Sequence, residues 1–294
     1  MELRVLRYFV ESMRCKSITR AAEKLHVTQP TLSRQLKELE DELGQKLFER
    51  SGYGIVPTSA GEILLNRASD ILDLADKTEN EFHSMKEYQG GDVYIGCAES
   101  EGMRIIARAV ADLRQRHPRF RVHIHSGNAE TVIDLLEKGL LDFAVVVQEF
   151  DLSRYGVRLL THRDTWGLVI RKDSPLASMR EIPVEALAGL PLIVSAQGIT
   201  PEMPEWFREN GERLNIVATY NLVYNASILV GEGVGVALTL SGLVASGPES
   251  VLCFRPISPT FESPLRIIWS RQKPMSRSAE LLLNEVGNNC GEGS

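Results

Sequence analysis

Residues 17–40 read SITRAAEKLHVTQPTLSRQLKELE: two short helical stretches divided only at His26–Val27–Thr28. This pair constrains the N-terminal fold more than any other feature. Upstream, Leu3, Leu6, Phe9, Val10 and Met13 have helical spacing and predict a helix over 3–14. Ser17 is a good N-cap for a second helix, 18–25, whose Ala21 and Ala22 let a neighbour approach closely. Thr28 then caps a third helix, with Pro30 in its first turn, where a missing N–H costs nothing. Leu32, Leu36, Leu39 and Leu43 give that helix a buried stripe, and Gly44 closes it.

A helix that only packs does not need Gln29, Thr31, Ser33, Arg34 and Gln35 crowded at its tip. Two helices joined by a short turn, the second polar at its start, form a helix-turn-helix. Such a tip enters the DNA major groove, where Gln and Arg make bidentate base contacts, each discriminating by about 1–3 kcal/mol. Gln29, Ser33 and Arg34 share the face opposite the leucines, while Thr31, Gln35 and Lys37 reach toward phosphates. The next stretch, KLFERSGYGIVPTSAGE, reads as strands Leu47–Arg50 and Ile55–Pro57, reversed at Gly52 and Gly54. This hairpin is a wing that places Lys46, Arg50 and Tyr53 near the backbone or minor groove. The expected DNA-contacting set is Thr28, Gln29, Pro30, Thr31, Ser33, Arg34, Lys37, Arg50 and Tyr53.

From Thr58, a plausible N-cap, to Gln89 no proline occurs. Leu64, Ala68, Ile71, Ala75, Thr78, Phe82 and Met85 step by four and three, a heptad seam. About thirty residues of helix span roughly 45 Å, too long for a small domain's core. The seam predicts a dimerisation helix, with Asp70, Asp73, Asp76, Lys77, Glu79, Glu81 and Lys86 on its wet side.

After Gln89-Gly90-Gly91 strand and helix patterns alternate to the end, which predicts two α/β subdomains with mostly parallel sheets and an unstructured tail, GNNCGEGS. Ligands of such sheets bind beyond the carboxyl ends of strands. This nominates Glu99, Ser100, Asn128, Gln148, Ser195, Gln197 and Thr200.

The net charge of −6 is unevenly spread: residues 1–58 hold ten Lys/Arg against eight Asp/Glu, whereas residues 59–89 hold three against seven. A local basic face, not the total, governs phosphate contact. No apolar run is long enough for a transmembrane helix, and the N-terminus does not read as a signal peptide, which makes the cytoplasm the expected compartment. Cys15, Cys97, Cys253 and Cys290 form no CxxC pair and read as reduced thiols. His123 and His125 alternate on one strand without a third ligand, so no metal is expected. GEGVGVAL lacks the GKS/T of a phosphate loop, and no catalytic constellation emerges.

The blocks SITRAAEKLHVTQPTLSRQLKELEDELG, LFER and PTSAGE, in this order and spacing, resemble the N-terminal domain of LysR-type transcriptional regulators. Tyr53, followed by Gly54, stands where many members carry arginine in the wing. The resemblance implies an α/β protein with an N-terminal all-α winged helix-turn-helix (1–58), a long linker helix (59–89) and a periplasmic-binding-protein-like effector domain (90–294). Within the last, subdomain I covers about 90–160 and 266–290, and subdomain II about 161–265. The implied partners are double-stranded operator DNA, RNA polymerase, a second copy of the chain, with tetramers as dimers of dimers, and a small-molecule effector between the subdomains; no cofactor is implied. Members that bind carboxylates often have small hydroxyl residues at the position of Glu99, so a neutral or amine-bearing effector is expected here. A free-standing solute-binding module and an enzyme on the α/β portion are the rival readings. The first 89 residues oppose the former, and the missing catalytic constellation the latter.

Overall fold

The structure is a computed structural model of the chain and describes residues 1–51, 54–84, 90–147, 151–196 and 205–290. These divide into two compact units, Met1–His83 and Ser84–Ser294.

The first unit comprises α1 (Leu3–Cys15), α2 (Ile18–Lys24), α3 (Gln29–Leu43), β1 (Phe48–Ser51), β2 (Gly54–Pro57) and α4 (Ser59–Ser84). The Ser17 hydroxyl accepts the Arg20 N–H, and the Thr28 hydroxyl that of Thr31, so each cap satisfies an otherwise orphaned amide. Gly44, left-handed at φ +64°, ends α3. Phe9, Ala21, Leu32 and Leu36 are fully buried in a shared core. Leu43 departs from the expected stripe: in the last turn of α3, past the end of this core, it is 40% exposed. The hairpin pairs Phe48 with Pro57 through Ser51 with Gly54 and is tied to α1 by the Ile55 N–H, which donates to the Lys16 carbonyl at 3.1 Å. Gly54 is required there, because a Cβ would stand 2.2 Å from that carbonyl oxygen.

Helix α4 is capped as expected: the Thr58 hydroxyl accepts the Gly61 N–H at 3.1 Å. Its apolar seam, however, is divided. Ala68 and Leu72 are buried against Leu6 and Val10 of α1, and Leu64 packs on the same cluster, so Leu64 and Ala68 serve the unit's own core. The uncovered apolar stripe is Ile63, Ile71, Leu74 and Phe82, with Thr78 beside it. Ala75 is half-buried, and Lys77, expected on the wet side, is buried. Met85 lies outside the described residues.

The second unit contains β3 (Asp92–Cys97), α5 (Met103–Arg116), β4 (Arg121–Ser126), α6 (Ala129–Lys138), β5 (Phe143–Val146), β6 (Tyr155–Arg171), β7 (Ile182–Pro183), β8 (Leu192–Ser195), α7 (Glu205–Asn210), β9 (Ile216–Tyr220), α8 (Val223–Gly231), β10 (Val236–Leu240), β11 (Leu252–Ser258), β12 (Glu262–Ser270) and α9 (Arg277–Asn289). The strand order is β4-β3-β5-β12-β6-β10-β8-β9, with β11 also on β6. Among the described residues, parallel pairing joins β3 with β4 and β5, β8 with β9 and β10, and β7 with β11. The middle of the path, β5-β12-β6-β10, is antiparallel, so the parallel pairing expected holds for the outer strands and fails at the centre.

The reason is β6, a single 17-residue strand. Its first part pairs with β12 from Tyr155↔Ser270 to Thr165↔Glu262, and its later part, from Gly167 on, with β10 and β11. One strand therefore runs out of one half-sheet into the other. Leu265 and Ile267 of β12 belong to the core with Ile95, Phe143 and Leu282, while Leu168, Leu192 and Leu238 form a second core. The sheets thus change over near Thr165 and Phe261, several residues from the expected 160 and 266. The tail also departs from expectation: α9 continues through Asn289, with Gly287 buried, beyond the expected end at Val286.

Candidate functional site

The first half of α3 has two unlike faces. Leu32 and Leu36 are fully buried, while Thr28, Gln29, Pro30, Thr31, Arg34 and Lys37 are exposed and Ser33 and Gln35 half-buried. Beyond the Thr28 cap, the side-chain bonds made by this face are short-range ones along the helix itself. The Gln29 amide donates to Ser33 Oγ at 2.8 Å, the Thr28 and Thr31 hydroxyls are 2.8 Å apart, and Glu38 accepts Gln35 while lying 3.7 Å from Arg34. Such exposed pairs are weak and screened, and they exchange readily for partners on a ligand. The guanidinium of Arg34, with its side chain 71% exposed, projects from the first turns as a groove-reading side chain must. Arg50 lies on β1, whereas Tyr53 falls outside the described residues.

In the second unit, the ends of β3 and β4 lie together, and Glu99 links them to the other half-sheet. The Gly127 N–H, after β4, donates to the Cys97 carbonyl at the end of β3. Glu99, two residues beyond β3, reaches into the other half, where its carboxylate accepts the Val223 N–H at 2.7 Å. Ser195 pairs in register with Tyr220. The Tyr220 phenol is pushed up to about 12, by burial first and by the Glu99 charge in addition, and its hydroxyl donates to the Leu238 carbonyl at 2.8 Å. Burial, with the same Glu99 charge, also pushes the Cys97 thiol up, so that it stays a thiol. Glu99, Ser100 and Asn128 therefore lie at neighbouring strand ends of one half-sheet, and Ser195 ends β8 of the other, in register with the Tyr220 that feels the Glu99 charge. Gln148, Gln197 and Thr200 lie outside the described residues.

The polar groups here are largely committed. The Asn128 side chain caps α6, accepting the Thr131 N–H at 2.8 Å. Buried Ser100 donates to Asp164 at 2.7 Å and accepts the Gly102 N–H at 3.0 Å, so its hydroxyl can only accept from a ligand. Asp164, fully buried on β6 beside the changeover, also meets His162 Nε2 at 3.0 Å. Sequence reasoning missed Asp164, His162 and Tyr220. The polar run Thr161–Thr165, set immediately before the apolar WGLVI, was the available signal.

His123 and His125 are exposed on edge strand β4, and His123 stacks on Tyr94 with ring centroids 4.6 Å apart. Among the described residues, no group of His, Cys, Asp or Glu is placed to hold a metal, and no helix is long and apolar enough to cross a membrane. The four cysteines are free.

Residues 3–62 match the model of the bacterial regulatory helix-turn-helix proteins of the lysR family, and residues 86–291 that of the LysR substrate binding domain. The chain belongs to the LysR family: it is a LysR-type DNA-binding transcriptional regulator with an effector-binding domain. It is 29% identical to the Hca operon transcriptional activator HcaR of Escherichia coli, over 97% of this chain and 98% of that one. It is 26% identical to the uncharacterized HTH-type transcriptional regulator YfeR of Shigella flexneri, over 97% and 92%. The crystal structure of full-length CbnR complexed with its target DNA shares the fold at a TM-score of 0.77 and 19% identity, covering 98% of this chain and 100% of that one.

Proposed function

We propose that the chain, acting in the cytoplasm as a homodimer or a dimer of dimers, binds an operator through the exposed tip of α3, and that a small molecule at the strand ends around Glu99, Ser100, Asn128 and Ser195 modulates that binding. The observation that carries the reading is the two-faced start of α3, where buried leucines fix the helix and unsatisfied polar capacity is displayed outward. Gln29, Ser33 and Arg34 read bases; Thr28, Thr31, Lys37 and Arg50 hold phosphates, with Pro30 fixing the first turn and Tyr53 of the wing beside the minor groove. The apolar stripe Ile63, Ile71, Leu74 and Phe82, with Thr78 beside it, pairs two copies so that their recognition helices meet successive half-sites. Effector and operator are then linked sites, each altering the other's affinity by the same factor. Activation would proceed through contact with RNA polymerase; no catalytic role is assigned.

The test is a gel shift of the full chain on DNA from the intergenic region flanking its gene. The expected result is a discrete complex that weakens steeply with salt as counterions are released. Equal binding to any duplex would overturn the operator reading. A thermal-shift screen of metabolites on the full chain then identifies the effector class.

A further inference from the structure

The N-terminus of α8 has no side-chain cap of its own for its first-turn amides; Asn221 accepts only the N–H of Leu222, at 3.0 Å. Its N-cap is Leu222, which has no side-chain acceptor, and its first turn contains no acidic residue. The amides there carry partial positive charge and need an anion or an acceptor. By contrast, α6 at the same cluster of strand ends is capped by its own Asn128, and α9 by its own Ser276. The missing acceptor comes from 124 residues away: the carboxylate of Glu99, carried by the other half of the unit, accepts the buried Val223 N–H at 2.7 Å. Its neighbours in sequence are anchored on either side of the same boundary. Ser100 is bonded to Asp164 on the changeover strand, and the Glu101 carboxylate lies against Gly242, where a Cβ would approach its Oε2 to 2.1 Å. Gly242 also has φ +78°, so both space and backbone reserve it for glycine. Residues 99–101 are therefore a strap from one half-sheet to the other, with Glu99 as its charged end.

We propose that Glu99 is a tethered anion: it occupies the α8 N-terminus in place of a carboxylate effector and holds this corner of the site together without one. This rests on the proposed effector role of the strand-end cluster and deepens it by specifying ligand charge. With its own carboxylate installed, the site selects against small carboxylates and accepts neutral or cationic molecules. Removing the carboxylate converts it into a carboxylate site.

The test compares wild type, Glu99→Ala and Glu99→Gln as full chains by hydrogen–deuterium exchange of the peptide covering Val223–Gly231, with sodium formate or, at equal ionic strength, sodium chloride, and with formamide as a neutral control. In Glu99→Ala, exchange at the first turn should rise about tenfold, the loss expected of a missing cap. Formate should restore it, while chloride and formamide should not. Glu99→Gln keeps an acceptor oxygen and should be less affected. Wild type should not respond to formate. Unchanged exchange in Glu99→Ala, or an equal formate response in wild type, overturns the tethered anion. Operator affinity is read in the same samples. Restored exchange with operator affinity indifferent to formate leaves the tether standing and overturns the regulatory role of the site.

Discussion

Replacing Asp164 tests the buried network that anchors Ser100 to β6 beside the changeover. The carboxylate is fully buried on β6 and uses both oxygens, accepting from Ser100 at 2.7 Å and meeting His162 Nε2 at 3.0 Å. In Asp164→Asn one oxygen becomes an NH₂ group. The remaining oxygen still accepts from Ser100, and the amide donates to His162 only if the ring presents a bare nitrogen. One hydrogen bond survives in either tautomer and the second in one of them, both without the charge that strengthens them, a cost of about 1–2 kcal/mol. Asp164→Leu, of similar size, abolishes both bonds. The buried Ser100 O–H then has no acceptor, although its oxygen keeps the Gly102 N–H, while His162, with 28% of its side chain exposed, turns partly to water, for a loss of about 2–4 kcal/mol. Trp166, Trp206 and Trp269 all lie in the second unit, so tryptophan fluorescence during urea unfolding of the full chain reports that unit. With a slope of about 3 kcal/mol/M, Asp164→Asn should lower the midpoint by about 0.3–0.7 M, and Asp164→Leu by roughly twice as much. Equal midpoints for wild type and Asp164→Asn, or a leucine variant more stable than wild type, would refute the network.

His26 sits between α2 and α3 at φ +56°, a conformation that costs an L-residue about 1–2 kcal/mol; after the added entropy loss of glycine, His26→Gly should stabilise the first unit by about 0.5–1 kcal/mol, and a lower melting temperature would contradict this. Burial tends to raise the Asp92 carboxyl, but hydrogen bonds from Arg121, at 2.7 and 2.8 Å, and from His123 outweigh it and hold Asp92 below the usual carboxylate range. A depressed folded-state value gives stability that is present above the unfolded value and lost as pH falls through the folded one, so Asp92→Asn should lose less stability than wild type between about pH 5 and about pH 3; parallel acid limbs would refute it. Phe82, 65% exposed on α4, should be central to pairing, so Phe82→Glu should convert dimers to monomers by light scattering without lowering helix content; an unchanged mass would remove α4 from the interface.

The first unit was legible because its signals are local. Ser17, Thr28, Gly44 and Thr58 mark helix ends by their own side chains or backbone, and Leu32, Leu36 and Leu39 declare a buried face by spacing alone. The α4 seam misled because a heptad pattern does not say which chain covers it. Ala68 and Leu64 have the right spacing for a partner helix, yet they pack on α1. The second unit hid its central strand for a related reason. Residues 155–165 carry Arg158, His162, Arg163 and Asp164, and their partners Ser100, Leu283 and β12 lie 64 to more than 100 residues distant. Glu99 was found as a strand-end residue, but its engagement with Val223 depends on a contact between half-sheets that no local pattern encodes.

The central claim is that α3 reads bases, and Arg34 decides it. Its side chain is largely solvent-exposed, with one loose pair to Glu38, so Arg34→Ala should leave the fold and melting temperature of the chain intact. Affinity of wild type and Arg34→Ala is measured by fluorescence anisotropy on the operator and on a scrambled duplex at the same salt. The expected result is an operator-specific loss of about 1–3 kcal/mol, roughly 5- to 150-fold, with a much smaller change on the scrambled duplex. An equal loss on both duplexes would reduce Arg34 to a phosphate contact, and no loss on either would take α3 out of the groove.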